Sequence, residues 1–365
     1  MKASLLSFGT FTLAALACAL TGRADEGQYK IVNTAQLMGS GRIDYVYADN
    51  DGGKLYVPRG AQVLVFDLET LKPAGTIPNT KGVHGVAVDP VSGHAFSSSK
   101  PVVMWDSKTL ETIKTIDVEG NPDGILFEPL TEKIYVLSHS APNVTVIDGK
   151  DGSISGTIDL GGAPEQAQSD AAGHVYIDLE DKDKIAVVDA KAMKLTGSFD
   201  LAGKGGGPGG LGLDNKNHVL FAFCHNPAVA VILSAQDGRI LDTLPIGKGT
   251  DGGGFNPATM EAFSSQGDAT LTIIKENSPT NFVVEQNVQT KPRAKTCTLD
   301  TKRNQIVLIA LEPAAAPAGG AANAGATVTP AAATSGSSTN AAGERPRGGG
   351  RNNGPAMLDI LVVGK

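Results

Sequence analysis

Aromatic side chains make up only 5% of the 365 residues, with a single Trp, yet 41% of residues are hydrophobic. The core must therefore be built from Val, Ile, Leu and Ala. Cysteine is scarcer still, and three residues are too few for a disulfide scaffold. No basic stripe appears and the net charge is −7, which argues against nucleic acid as a partner. Long apolar runs are missing beyond the first twenty residues, so the mature chain has no transmembrane segment. What abounds is Gly, with 45 residues, beside 20 Pro. Glycine costs about 1 kcal/mol in a helix interior, so helix bundles and coiled coils fit poorly. A disordered chain fits poorly too at this apolar content.

The N-terminus reads as an export signal. Lys2 supplies a positive start, and Leu5 to Leu20 is largely apolar and uncharged. Gly22-Arg23-Ala24 then places small residues at a cleavage site before Asp25. Ala17-Cys18-Ala19 is a second cleavage site, and a lipoprotein would be modified at Cys18, although Ala15 stands where Leu is usual. Sixteen residues fall short of the ~20 that span a bilayer. Loss of residues 1–24 removes Lys2 and Arg23 and no acid, which takes the net charge from −7 to −9. The expected compartment is the bacterial periplasm or the exterior.

The body is a repeat. Polar residues that open a turn between two strands fall at Asp49, Asp89, Glu128, Asp170, Asp214, Asn256 and Asp300, spaced 40, 39, 42, 44, 42 and 44 apart. A strand follows each turn: Lys54–Val57, Ala95–Ser98, Ile134–Leu137, Val175–Leu179, Leu220–Phe223, Ala262–Ser265 and Ile306–Ala310. A third strand ends in an acid at Phe66-Asp67, Trp105-Asp106, Ile147-Asp148 and Val188-Asp189. A fourth closes the unit, as at Thr112–Val118 or Ser155–Leu160. Four short strands per unit of this length predict a β-propeller.

The last unit is interrupted. Residues 313–355 are rich in Ala, Gly, Pro, Ser and Thr, with no hydrophobic period, and are expected to be a disordered low-complexity insertion. Arg345, Arg347 and Arg351 make its end basic. The pattern resumes at Met357–Val363, and the unmatched run Ile31–Met38 supplies the missing outermost strand. The prediction is an all-β fold: a seven-bladed propeller of four-stranded blades over residues 25–365, closed by the N-terminal strand in the last blade.

Tyr135-Val136-Leu137-Ser138 and Tyr56-Val57-Pro58-Arg59, with the turns Asp89-Pro90 and Glu128-Pro129, resemble the YVTN-repeat, YncE-like seven-bladed β-propeller family. The resemblance covers about residues 31–311 and 357–363. It implies a secreted or periplasmic protein with a role in binding. Similar seven-bladed folds also serve lactonases and streptogramin lyases, so fold alone does not settle function. Trp105-Asp106 has the form of a WD pair, but it occurs once and is read as coincidence.

In propellers the first strand of each blade lines the central channel. The residue five before each turn residue gives one position per blade around the mouth: Asp44, His84, Asp123, Glu165, Gly209, Asp251 and Lys295. Arg293 competes with Lys295 for the last place. Loops after the second strands add Arg59, Lys100, His139, Glu180, His225, Asn226 and Asp268 to that face. Crowded carboxylates raise one another's pKa unless a cation compensates. His84, His139 and His225 fall on the mouth side, whereas His94, His174 and His218 belong to turns on the opposite face. Imidazoles and carboxylates from separate blades suit metal ligation or acid–base work. Three readings stand side by side: a solvated funnel whose groups bond each other, a pocket for a ligand or cation, and a catalytic site.

Other signals are weaker. Gly203–Gly210 lacks the strand–loop–helix setting of a phosphate cradle and reads as a flexible connection between blades 4 and 5. Asn143-Val144-Thr145 has the form of a glycosylation sequon but reads as strand. Cys224 and Cys297 fall in blades that are not neighbours and are expected to be separate buried thiols. Cys224 and His225 are adjacent on a strand and point to opposite faces, which argues against a dyad.

The leading expectation is a monomeric, exported propeller that binds a small molecule or protein through Asp44, His84, Asp123, Glu165, Asp251, Lys295, His139 and His225. The alternatives are a metal-assisted lactonase or lyase, with a divalent metal on His84, His139 and His225, and a structural envelope protein.

Overall fold

A computed structural model describes residues 27–313 and 354–365. The expected signal peptide at 1–24 and almost all of the 313–355 insertion lie outside the described residues. Twenty-eight strands form seven antiparallel four-stranded sheets, and the described residues contain no helix. The channel is lined by the inner strands Tyr47–Asp49, Val86–Asp89, Pro122–Glu128, Pro164–Ser169, Pro208–Asp214, Thr250–Asn256 and Thr296–Asp300, which open blades 1 to 7 in that order.

Blade 7 closes the ring in the predicted way. Outward from Thr296–Asp300 come Gln305–Pro313, Pro355–Gly364 and finally the N-terminal strand Lys30–Ser40. That strand runs antiparallel to its neighbour, with Lys30 opposite Gly364 and Ser40 opposite Pro355. Blade 1 then locks onto blade 7 through polar contacts. The Ala48 N–H donates to Thr298 Oγ1 at 3.1 Å, and Thr296 Oγ1 donates to the Asp44 carbonyl at 2.9 Å.

The repeating acid of each turn has a common task. Asp49, Asp89, Glu128, Asp170, Asp214, Asn256 and Asp300 each accept a backbone N–H two to four residues on, for example Asp49 Oδ1 from Gly52 at 2.9 Å and Glu128 Oε2 from Thr131 at 2.8 Å. These side chains replace the hydrogen bonds that a tight turn leaves open.

The scarce aromatics are placed with similar regularity. Tyr56, Phe96, Tyr135, Tyr176, Phe221 and Phe263 occupy the third position of the second strand in blades 1 to 6, and all are buried. Blade 7 has Val307 there. The hydroxyls of Tyr135 and Tyr176 reach the carbonyls of Ala190 and Ala235 in the next blade, at 3.3 and 3.0 Å.

The core is divided into one apolar cluster per blade junction. Leu55, Val57 and Phe66 of blade 1 meet Val307, Leu358 and Ile360 of blade 7, and equivalent sets fill the other six junctions. Each Leu, Ile or Val buried there contributes about 1.5–3 kcal/mol, so stability is spread around the ring and depends on its closure.

Candidate functional site at the channel mouth

The inner strands reach the mouth through a shared irregularity. In blade 3 the pairing jumps from Pro122 opposite Ser138 to Ile125 opposite Val136. Blades 4, 5 and 6 jump in the same way after Pro164, Pro208 and Thr250. Asp123, Glu165, Gly209 and Asp251 all fall in these bulges, which turn a residue out of the ladder. A proline fits as the first residue of three of these strands because it has no N–H to donate. Gly124 follows Asp123 because a Cβ there would lie 2.2 Å from the Glu165 carbonyl oxygen.

Five of the expected residues form one continuous chain of acids and imidazoles. His84 Nδ1 lies 2.7 Å from Asp44 Oδ2 and 3.2 Å from Asp123 Oδ1. The other Asp123 oxygen, Oδ2, lies 3.0 Å from His139 Nε2. His139 Nε2 is in turn 3.2 Å from Glu165 Oε1, and Glu165 Oε2 accepts the Tyr45 hydroxyl at 2.8 Å. Blades 1 to 4 thus meet through alternating charge.

Burial pulls the His84 imidazole down, but hydrogen bonds and charge from Asp123 and Asp44 overcome it and raise its pKa to about 10. The Asp123 and Glu165 carboxylates raise His139 to about 10 against the opposing effect of burial. Burial likewise pushes Asp123 upward, yet the two imidazoliums hold it well below the usual carboxylate range. Both imidazoles are therefore charged at neutral pH, so Asp123 is an anion shared by two cations.

The rest of the mouth is built differently. Asp251 and Lys295 form their own ion pair, which places Lys295 rather than Arg293 in the ring. Burial raises Asp251 to about 6 against the favourable charge of Lys295. At Gly209 the absent side chain leaves room for a neighbour: a Cβ there would sit 2.7 Å from His225 Nε2. Two sets of potential metal donors occur among the described residues, Asp44–His84–Asp123 and Asp123–His139–Glu165. Each holds one imidazole, and His225 joins neither, so the three mouth-side histidines do not surround one point.

Several other expected members of this face are occupied elsewhere. Arg59 is buried and donates to the carbonyls of Gly39 and Ala356 at 2.6 and 2.8 Å, stitching blade 1 to blade 7. Lys100 Nζ donates to the Gly120 carbonyl at 2.6 Å, and Asp268 accepts the Lys248 N–H at 2.7 Å. Glu180 and His225 flank Gly207, and the Asn226 carbonyl packs by Gly206. On the opposite face His94 and His174 bond the Gly149 carbonyl and Asp170 at 3.2 and 2.7 Å. Cys224 and Cys297 are free and buried, and burial pushes their thiols up to about 12 and 11. Asn143 is buried and uses its amide on the Ser138 carbonyl at 3.2 Å, as strand sequence rather than an exposed sequon. The Gly203–Gly210 run is not connection throughout: Pro208, Gly209 and Gly210 already belong to the inner strand of blade 5.

No family model and no curated protein matches the chain. Solved structures do. The chain is similar to a crystal structure of the RRP9 WD40 repeats, at 12% identity and a TM-score of 0.66, over 77% of this chain and 91% of that one. A structure of U3-55K matches at the same identity and TM-score, over 77% and 92%. At this identity the likeness establishes the fold alone, a seven-bladed β-propeller.

Beneath the mouth the channel holds a cavity of about 280 Å³. Tyr45 and Glu165 belong both to its wall and to the mouth network. Sequence reading missed Tyr45, which carries no motif. It also missed Gln166, whose Oε1 accepts the Leu211 and Gly253 N–H groups at 2.7 and 3.2 Å while Nε2 donates to the Gly253 carbonyl at 3.1 Å. Gln166 thereby ties blade 4 to blades 5 and 6 across the channel. Asp178, fully buried behind the Glu165 bulge, accepts the Gln166 N–H, and burial holds its carboxyl well above the usual range. Chemically, the mouth offers paired charges for a polar ligand, donors for a cation and a small space below.

Proposed function

We infer that the protein is an exported binding propeller that takes a small polar molecule into the mouth of its channel. One observation carries this reading: Tyr45 and Glu165 join the charged network to the wall of a cavity of about 280 Å³. That volume lies just below the ~300–1,000 Å³ of drug-sized pockets, which suits a small molecule. The YVTN-like repeats and the leader sequence at 1–24 support export and a binding role. Metal-assisted lactone or lyase chemistry at the same mouth is the second reading, favoured by the Asp123–His139–Glu165 donor set.

A thermal-shift screen of polar metabolites tests the first reading. A ligand at 100 times its Kd adds about 2.7 kcal/mol of stability. The expected result is a hit whose shift is lost in the double variant Asp251→Asn/Lys295→Ala and in Ala167→Leu, which narrows the cavity. Hits unaffected by both variants would place binding elsewhere on the ring.

A further inference from the structure

One nitrogen of the mouth network, His139 Nε2, sits between two carboxylates without a well-formed hydrogen bond. Asp123 Oδ2, His139 Nε2 and Glu165 Oε1 converge there from blades 3 and 4, within 4.8 Å of one another. His139 Nε2 is sealed from solvent and makes no hydrogen bond of good geometry, although Asp123 and Glu165 pair with it at 3.0 and 3.2 Å. A proton on this nitrogen points well at neither acceptor. The other trio differs, because His84 Nδ1 makes a well-formed hydrogen bond to Asp44 at 2.7 Å.

The spacing around His139 Nε2 suits a cation. Metal bonds of about 2.0–2.2 Å to nitrogen and oxygen set neighbouring donors roughly 3 Å apart. The two contacts of His139 Nε2 are 3.0 and 3.2 Å. Each carboxylate also presents one oxygen to this point and has the other engaged. Glu165 Oε2 is held by the Tyr45 hydroxyl, and Asp123 Oδ1 faces His84, itself held by Asp44. Outer partners that fix the second oxygen of each ligand are what orient a metal's donors.

We propose that Asp123, His139 and Glu165 bind one divalent cation at the channel mouth, which takes the place of the Nε2 proton of His139 and releases it to solvent. One imidazole with two carboxylates favours Zn²⁺ or Mn²⁺ over Ca²⁺, which takes six or more oxygens. Three protein ligands leave coordination positions open, where an oxygen of the incoming ligand docks. Only that docking step rests on the small-molecule reading above; the cation site stands on its own donors.

Chelator-treated full-length protein, titrated separately with ZnCl₂, MnCl₂ and CaCl₂ in a calorimeter, tests the site. The expected result is one equivalent of Zn²⁺ or Mn²⁺, bound at least ~100-fold more tightly than Ca²⁺. His139→Ala weakens binding at least ~100-fold, Tyr45→Phe weakens it about tenfold, and His174→Ala on the opposite face leaves it unchanged. If His139→Ala does not fold by circular dichroism, Glu165→Gln is read in its place. Absence of saturable binding up to millimolar metal overturns the proposal, as does binding that survives both ligand variants. A negative result here beside a positive metabolite screen removes the cation and leaves the small-molecule reading in place. The reverse result removes the small molecule and leaves the cation.

Discussion

Where blade 2 meets blade 3 at the mouth, His84 reaches Asp123 across 3.2 Å. Where blade 5 meets blade 6, a Cβ on Gly210 would lie 2.9 Å from the backbone carbon of Gly252, so no side chain fits between them. Blades 1 to 4 are thus joined at the channel by charged side chains, and blades 5 and 6 by bare backbone. On the glycine side Gly212 repeats the contact against Gly254, and Gly253 lies under the Phe223 ring. The difference shows how a ring of equivalent units specialises. One arc closes up through glycine, which leaves the opposite arc room to place ionisable groups.

The largest expected effect comes from breaking the glycine arc. In Gly212→Val the new Cβ would sit 2.8 Å from the Gly254 carbonyl oxygen and 3.0 Å from its carbon. These are backbone atoms and cannot swing aside. Overpacking costs about 1–3 kcal/mol where side chains can adjust. A loss of stability above ~3 kcal/mol by urea titration, or insoluble protein, is expected here. A loss below ~1 kcal/mol would show that the two arcs are equally loose.

The charged arc is expected to break less severely. Asp123→Ala leaves two imidazoliums facing Asp44 and Glu165 without their shared anion. Removing one partner from a fully buried pair costs ~3–5 kcal/mol. His84, His139 and Asp123 keep 23, 18 and 10% side-chain exposure, so about 2–3 kcal/mol is expected by denaturant titration at pH 7. An unchanged midpoint would mean that the chain of charges adds nothing to the ring.

A smaller effect sharpens the comparison on the far side of blades 5 and 6. Burial raises Glu276 from 4.5 to about 7, with the nearby Asp214 charge adding to the rise and the Asn217 amide opposing it. The folded chain keeps this proton to higher pH than the unfolded chain. The contribution is therefore neutral below pH 4.5, turns unfavourable as pH rises, and is complete above about 7. Glu276→Gln is expected to be more stable than the parent at pH 8 by on the order of 2 kcal/mol, and no different at pH 4. Equal urea midpoints for the two proteins at pH 8 would contradict the shift.

The smallest effect is the control for the first. Nothing lies within 4 Å of a Cβ on Gly197, so Gly197→Ala should change stability by less than ~0.5 kcal/mol. A large loss there would show that glycine matters in this ring for some reason other than close approach.

The blades were readable because the turn residues do a local job that recurs. Asp49, Asp89 and Asp300 bind the backbone two or three residues ahead, so their spacing survives in the chain as a period. Counting back from them found Asp44, His84, Asp123 and Glu165, since the mouth lies a fixed strand length away. What counting could not give is which neighbours meet. Gln166 acts 45 and 87 residues away, on Leu211 and Gly253. The gap at Gly209 takes the ring of His225, and the mouth bulges re-aim side chains without any residue that marks them beyond an occasional proline. Arg59 sat at the correct strand end, but its contacts with Gly39 and Ala356 depend on the last blade being assembled from both ends of the chain.

That shared last blade also governs how the molecule responds to cutting and joining. Lys30 and Gly364 are direct partners on neighbouring antiparallel strands, so the start of the outermost strand and the end of its neighbour lie side by side. A short turn would connect them without disturbing any strand pair, and the chain could then be reopened in the outer turn of another blade. The same geometry sets the response to pulling. Force applied at these two ends would peel the strands apart one hydrogen bond at a time, starting at Lys30, instead of shearing the whole ladder at once. The junction that completes the ring would therefore be the first to open under load.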